Sequence, residues 1–289
     1  MKHPNGKNIK FERIAMTKFI SICFGVIANL QFPKILQDVI NKQYVNFFNI
    51  NLREFAPLES YKSLNELFTR GLRKIRHFDK NDNIIISPCD SLVMESGKVE
   101  NGKALQIKGF SYDVKSLLGV KKIEENLYYA NLYLSPRDYH RYHAPCDMFI
   151  ESILHFKGSL LPVHHKSLNK NQNLFIRNER VVLNAKTKNG KKLYFVAVGA
   201  LNVGKIVFYI EPKLQDSFSG KVQEFCYKEP KFIRKGEEMG MFKMGSTIVL
   251  FIEANVDSSA ESQSHTNSQN IEVLKQNEKI AFGEALFKI

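Results

Sequence analysis

Residues Leu127-Tyr128-Tyr129-Ala130-Asn131-Leu132-Tyr133-Leu134 make a short aromatic and aliphatic run that Ser135-Pro136 brings to a stop. A run of this length, rich in Tyr and Leu and bounded by turn residues, reads as a β-strand. Working outward, the same texture recurs at Ile84–Ile86, Leu193–Val198, Lys205–Ile210 and Thr247–Ile252, with Gly, Pro and Asn between the runs. Before Ile84 the texture is different. Residues 8–80 read as helical, and Ser63 through Arg76 is expected to be one helix, with Ser63 as N-cap and Glu66 at the capping-box spacing. The expected fold class is α+β, a helical front region over residues 1–80 followed by a β-rich domain over residues 81–289. Ser258 to Asn270 is polar and low in complexity, so it is expected to be a long surface loop or linker. No internal repeat is visible.

The chain has 289 residues, 44% hydrophobic and 25% charged, which excludes wholesale disorder, a collagen-like fibre and a disulfide scaffold. Its 42 Lys+Arg against 29 Asp+Glu give a net charge of +13. That charge is concentrated toward the front: residues 1–80 carry 14 basic and 6 acidic side chains, a net of +8. Such a surface seeks a polyanion, either anionic lipid or nucleic acid, unless the charge serves solubility alone. Cys23, Cys89, Cys146 and Cys226 form no C-x-x-C pair, which argues against zinc and gives no reason to invoke disulfides. A reducing compartment follows.

No window reaches the ~18 consecutive apolar residues of a membrane span. The nearest is Phe19 to Ala28, preceded by Lys7, Lys10, Arg13 and Lys18, and no small-x-small cleavage site follows it. It reads as a helix of four to five turns stopped by Pro33, suited to lying in a bilayer interface. An ordinary core-packing helix is the competing reading. The basic front and the next apolar stretch (Val45, Phe47, Phe48, Ile50, Leu52, Phe55) favour the membrane surface.

Chemistry-bearing residues gather in three peptides. Ser87-Pro88-Cys89-Asp90-Ser91 places a carboxylate after an apolar strand, where it could orient a histidine or merely cap a turn. Leu132 through Asp147 holds His140 and His143 amid Arg, Asp and Tyr, and histidine moves protons near neutrality. Two exposed surface histidines are the bland reading. A metal site is disfavoured, because no acidic third ligand stands at an inverse-zinc spacing. The third peptide, Phe242-Lys243-Met244-Gly245-Ser246-Thr247, sets a hydroxyl at the mouth of an apolar strand. No phosphate-loop, dinucleotide-binding or nucleophile-elbow pattern accompanies it.

These peptides in this order resemble the phosphatidylserine decarboxylase family. The resemblance runs from about Leu67 to Ile252 and takes in Leu67–Arg70, Ser87–Asp90, Ile107–Gly109, Leu117–Gly119, Tyr133–Cys146, Leu174–Val182, Val198–Ala200, Val203-Gly204, Lys235–Gly240 and Gly245–Thr247. It implies a proenzyme that breaks its own Gly245-Ser246 bond, leaving a β chain of residues 1–245 and an α chain of residues 246–289. By that resemblance Asp90 orients His143, His143 takes the proton of Ser246, and Ser246 attacks the carbonyl of Gly245. Ser246 then becomes a covalent pyruvoyl group, on which phosphatidylserine condenses as a Schiff base and loses carbon dioxide to give phosphatidylethanolamine. His140, the family's other histidine, is assigned the proton donor in that step; the exchanged assignment, His140 for cleavage and His143 for turnover, competes with it. The implied partners are phosphatidylserine and an anionic membrane surface, with the two chains of one precursor held together and a homodimer left open. The implied place is peripheral, on the cytoplasmic side of a bacterial cell membrane.

Three departures from the family pattern are expected to be tolerated. Cys89 and Ser91 replace the usual Ala and Gly, and Ser91 would be strained if that position needs a positive φ. Met244 replaces Leu, a near volume-conserving swap, and the insert at 258–270 is long. A serine hydrolase using Asp90, His143 and Ser246 is the sharpest rival, and intact mass separates it, since a hydrolase keeps one chain. A basic nucleic-acid-binding protein is the other, although no recognition module is present.

Overall fold

The structure, a computed structural model, describes residues 25–107, 109–201, 205–214, 222–243, 246–254 and 276–289, with backbone alone at residues 165, 166 and 246. In chain order its helices are α1 (Lys34–Phe48), α2 (Leu64–Phe68), α3 (Val114–Leu118), α4 (His165–Leu168) and α5 (Leu174–Arg177). Its strands are β1 (Ile84–Ile86), β2 (Ser91–Lys98), β3 (Lys103–Ile107), β4 (Phe110–Asp113), β5 (Leu127–Leu134), β6 (Arg141–His143), β7 (Met148–Phe156) and β8 (Arg180–Thr187). They continue with β9 (Lys192–Gly199), β10 (Lys205–Phe208), β11 (Val222–Ile233), β12 (Glu238–Lys243), β13 (Ser246–Glu253), β14 (Lys279–Ile280) and β15 (Ala285–Lys288). The fold class is α+β, with few helices and many strands.

Eight strands form one antiparallel sheet in the order β11-β7-β8-β9-β13-β5-β2-β14. The strand that opens with Ser246 therefore lies inside the sheet, between β9 and β5. Ile248 to Ile252 are wholly buried, and such an unbroken apolar run is what a strand covered on both faces requires. On one face Tyr129 and Asn131 of β5 meet the β3–β4 hairpin: Leu105 N donates to Tyr129 OH, and Asn131 Nδ2 donates to Leu105 O. Against the same sheet packs a three-stranded sheet, β10-β12-β6. Tyr142 of β6 joins the two, with its ring 5.4 Å from Phe195 of β9 and 5.0 Å from Phe242 of β12.

One correction falls in the front region. Ser63 caps as expected, its hydroxyl accepting Glu66 N at 3.2 Å, but the helix ends at Phe68 and does not run on to Arg76. Thr69 folds its hydroxyl back onto Asn65 O, and Arg70 turns inward to donate to the carbonyls of Arg137 and Asp138 at 2.6 and 3.0 Å. Those tertiary bonds outweigh a helical propensity of a few tenths of a kcal/mol per residue. Residues 70–83 hold no helix or strand. The apolar helix expected over Phe19 to Ala28 lies mostly outside the described residues; its described end, residues 25–29, stops before Pro33, which leads into α1. The polar segment 258–270 also lies outside them.

Ser91 is not strained. It begins β2 and is absent from the described residues with positive φ, so the turn bends without a glycine there.

Candidate active site

The histidine peptide is held between the front region and the C-terminal segment. Tyr142 must face inward for the sheets to pack, and strand alternation then sends Arg141 and His143 to the other side of β6. His143 Nδ1 lies 2.9 Å from Gly236 O and Nε2 lies 2.9 Å from Tyr139 OH. A carbonyl only accepts, so Nδ1 carries the proton and Nε2 is the basic nitrogen, receiving the Tyr139 hydroxyl. Burial pushes the His143 pKa below its usual value, opposed by the bond to Gly236. The ring is therefore neutral at pH 7, as a general base must be. Burial pushes the Tyr139 phenol up, so it stays a donor.

Two features fix the His143 ring. Phe282 stacks on it at 3.8 Å and 17°. Gly236 supplies its carbonyl from a φ of +78°, and a β-carbon there would run into Phe78. Only glycine fits.

Asp90 sits at the end of the Ser87–Asp90 turn, which is tied down by Ser87 Oγ donating to Cys89 O at 2.7 Å and by His143 N donating to Pro88 O at 2.9 Å. Its carboxylate is taken by Arg76, at 2.5 and 3.1 Å, and by Phe282 N at 2.8 Å. The turn thus brings Asp90 beside His143 through Phe282, yet Nδ1 of His143 is bonded to Gly236 and not to Asp90. Burial works against the charge of Arg76, but its bonds to Glu54 and Asp90 outweigh that and hold its pKa above normal.

His140 is fully buried, with Phe68 at 3.9 Å and Nδ1 2.8 Å from Asp138 O. That bond places the proton on Nδ1, and Nε2 has no hydrogen-bond partner among the described residues. Burial, reinforced by the nearby Arg70 charge, pulls its pKa down to about 3. The β6–β12 register pairs His143 with Glu238, and Phe242 N donates to His140 O at 2.9 Å. Along β12, His140 is the histidine nearer to Ser246.

Ser246 opens β13 with its backbone paired to Leu134 and Gly199, so it enters the sheet next to the strand that feeds the histidine peptide. Gly245 lies outside the described residues. Beside Ser246, Thr247 Oγ1 is buried with no partner among the described residues. Tyr139, Gly236, Arg76 and Phe282 are site residues that the sequence reading did not single out. Tyr139 and Gly236 stand inside peptides quoted for the family, but nothing local marks Arg76 or Phe282.

A buried neutral imidazole with a carboxylate nearby can hold and move a proton, and the backbone of Ser246 enters the sheet beside the strand that leads to it. The sequence profile described as phosphatidylserine decarboxylase matches residues 64–288. A phosphatidylserine decarboxylase proenzyme of Helicobacter pylori (strain ATCC 700392 / 26695) is 50% identical, over 83% of this chain and 91% of that protein. The proenzyme of that name from Campylobacter jejuni is 42% identical over 82% and 91%, and a mitochondrial one from Oryza sativa is 31% identical over 96% and 78%. This chain belongs to the phosphatidylserine decarboxylase family.

Proposed function

We propose that the chain is a proenzyme that cleaves itself between Gly245 and Ser246 and then decarboxylates phosphatidylserine to phosphatidylethanolamine. The observation that carries this reading is the wiring of His143. With Nδ1–H committed to Gly236 and the ring clamped by Phe282, Nε2 is the basic nitrogen and would take the proton of the Ser246 hydroxyl in exchange for its bond from Tyr139, as that hydroxyl attacks the Gly245 carbonyl. The Asp90 charge nearby favours the imidazolium that forms, an effect that the paired Arg76 guanidinium partly offsets. The described strands of the would-be α chain would stay in place after cleavage, because β13 is inside the main sheet, β14 pairs with β2 and β15 pairs with β1.

A pyruvoyl group at residue 246 fits this setting: the position is a strand entry, and two buried polar atoms, Thr247 Oγ1 on the next residue and His140 Nε2 on the peptide that follows the paired strand β5, lack partners among the described residues. Once formed, that group supplies an electron sink for the carbon that loses carbon dioxide. His140 would return the proton to that carbon. Because burial disfavours its charged form, His140 would take that proton from solvent only when the entering substrate carboxylate offsets the charge. A second reading exchanges the histidines, and two observations favour it: His140 lies nearer Ser246 along β12, and its Nε2 lone pair is free of partners among the described residues.

The front region would meet a membrane surface on the cytoplasmic side. Helix α1 buries Gln37 and Asn41, bonded to each other at 2.8 Å, and exposes Ile35 (84%), Phe47 (82%), Leu36 and Val39. An apolar face left outward on a basic segment suits insertion at a lipid interface. Among the described residues no helix is long and apolar enough to cross a membrane.

The test is intact mass with product analysis. The purified protein should be two chains and should release carbon dioxide from phosphatidylserine, while Ser246→Ala should remain one chain of about 33.3 kDa without activity. A single active chain would support the hydrolase alternative instead.

A further inference from the structure

A cationic cleft of about 750 Å³ lies beside the histidine site, with Arg53, Arg73, Lys74 and Lys80 around a floor that includes Ile75 and Phe78. Its one carboxylate, Glu54, is already engaged, receiving both Arg76 nitrogens at 2.8 Å. Arg73 donates to Arg53 O, whereas the side chains of Arg53, Lys74 and Lys80 have no hydrogen-bond or ion-pair partner among the described residues. Cations gathered in a concavity without counter-charges repel one another, and an anion relieves that repulsion. Guanidinium and ammonium groups above an apolar floor match an amphiphile whose charged part is a phosphodiester.

The position of the cleft is informative. The Phe78 ring lies 6.2 Å from that of Phe282, which stacks on His143. Phe78 also abuts Gly236, whose carbonyl holds His143 Nδ1. Glu54 and Arg76 line both this cleft and the adjoining depression that contains Asp90, Asp138 and Tyr139. In the chain, α1, with its exposed apolar residues, ends five residues before Arg53 of the cleft.

We propose that this cleft binds the phosphodiester of the glycerophospholipid substrate, so that the amino-acid end of the head group reaches the histidine site while the acyl chains stay in the interface. The assignment rests on the decarboxylase reading. Arg53, Lys74 and Lys80 set affinity for the head group and take no part in proton transfer.

The test uses Arg53→Gln/Lys74→Gln/Lys80→Gln, with Lys74→Gln alone as a milder variant. Mass analysis and a thermal melt first establish that each is processed and folded. In nonionic micelles the triple variant should show a KM for phosphatidylserine raised about tenfold or more, with kcat within about twofold of wild type. Calorimetry with glycerophosphoserine should show the same loss of affinity, and Lys74→Gln should show part of it. Three results would overturn the proposal: unchanged KM and affinity, inorganic phosphate binding wild type as tightly as glycerophosphoserine, or loss of binding to phosphatidylglycerol vesicles alone, which would make the cleft a general membrane-surface contact. Wild-type protein that releases no carbon dioxide would sink the activity, whereas the calorimetry would still judge the cleft.

Discussion

His143 and His140 stand three residues apart on one peptide, yet different regions of the chain support them. His143 is wired from the C-terminal side: Phe282 stacks on it, Gly236 takes its Nδ1–H, and Tyr139 covers Nε2. His140 is wired from the front region: Phe68 lies against its ring and Arg70 pins the loop through the carbonyls of Arg137 and Asp138. One ring has both nitrogens bonded, and the other has a bare buried Nε2 among the described residues. The difference teaches that His143 is held from the C-terminal half of the chain, by Gly236 and by Phe282 beyond residue 246, while the front region shapes the surroundings of His140.

The largest effect that can break this comparison is loss of the base. His143→Ala should slow self-cleavage by about 10²–10⁴-fold, leaving the precursor as one band on a denaturing gel. Asp90→Asn should also slow it. Normal two-chain processing in Asp90→Asn would end the role given to that carboxylate, leaving it as the anchor of Arg76.

Next in size is a pH effect from the His140 environment. Its folded pKa of about 3 lies below the ordinary 6.5, so the unfolded chain binds the proton first as the pH falls. The stability this burial allows is complete above pH ~6.5 and is lost on acidification, at about 1.4 kcal/mol per pH unit from this residue toward pH ~3. His143 acts in the same direction. Thermal melts taken across that range should fall steeply for wild type and less steeply for His140→Asn.

Smaller effects sharpen the His143 side. Gly236→Ala forces a positive φ and a clash with Phe78, so it should destabilise the fold by about 1–3 kcal/mol and slow maturation with it, as a melt and a cleavage time course would show. Tyr139→Phe removes one hydrogen bond, worth about 1 kcal/mol, and should slow cleavage only a few-fold by the same time course.

Much of this was legible in the sequence. The strands at Leu127–Leu134 and Thr247–Ile252 announced themselves, because an apolar run stopped by turn residues has few other solutions. The peptide carrying His140 and His143 was marked by its residue types, whereas Asp90 and Ser246 stood out only through the family resemblance. What was not legible came from distance. Phe282 reaches His143 across more than a hundred residues, and no local pattern encodes that. Arg76 looked like the end of a helix, and only the tertiary pull of Arg137 and Asp138 on Arg70 explains why the chain leaves helical form after Phe68. The outward apolar face of α1 was equally hidden, since composition does not say that Gln37 and Asn41 turn inward.

The most direct test of the account is the intact mass, under denaturing conditions, of His140→Ala beside His143→Ala. The account predicts two chains, residues 1–245 and 246–289, for His140→Ala, and one uncleaved chain for His143→Ala. One chain for His140→Ala with two for His143→Ala would contradict it and hand the activation of Ser246 to the histidine with the bare nitrogen.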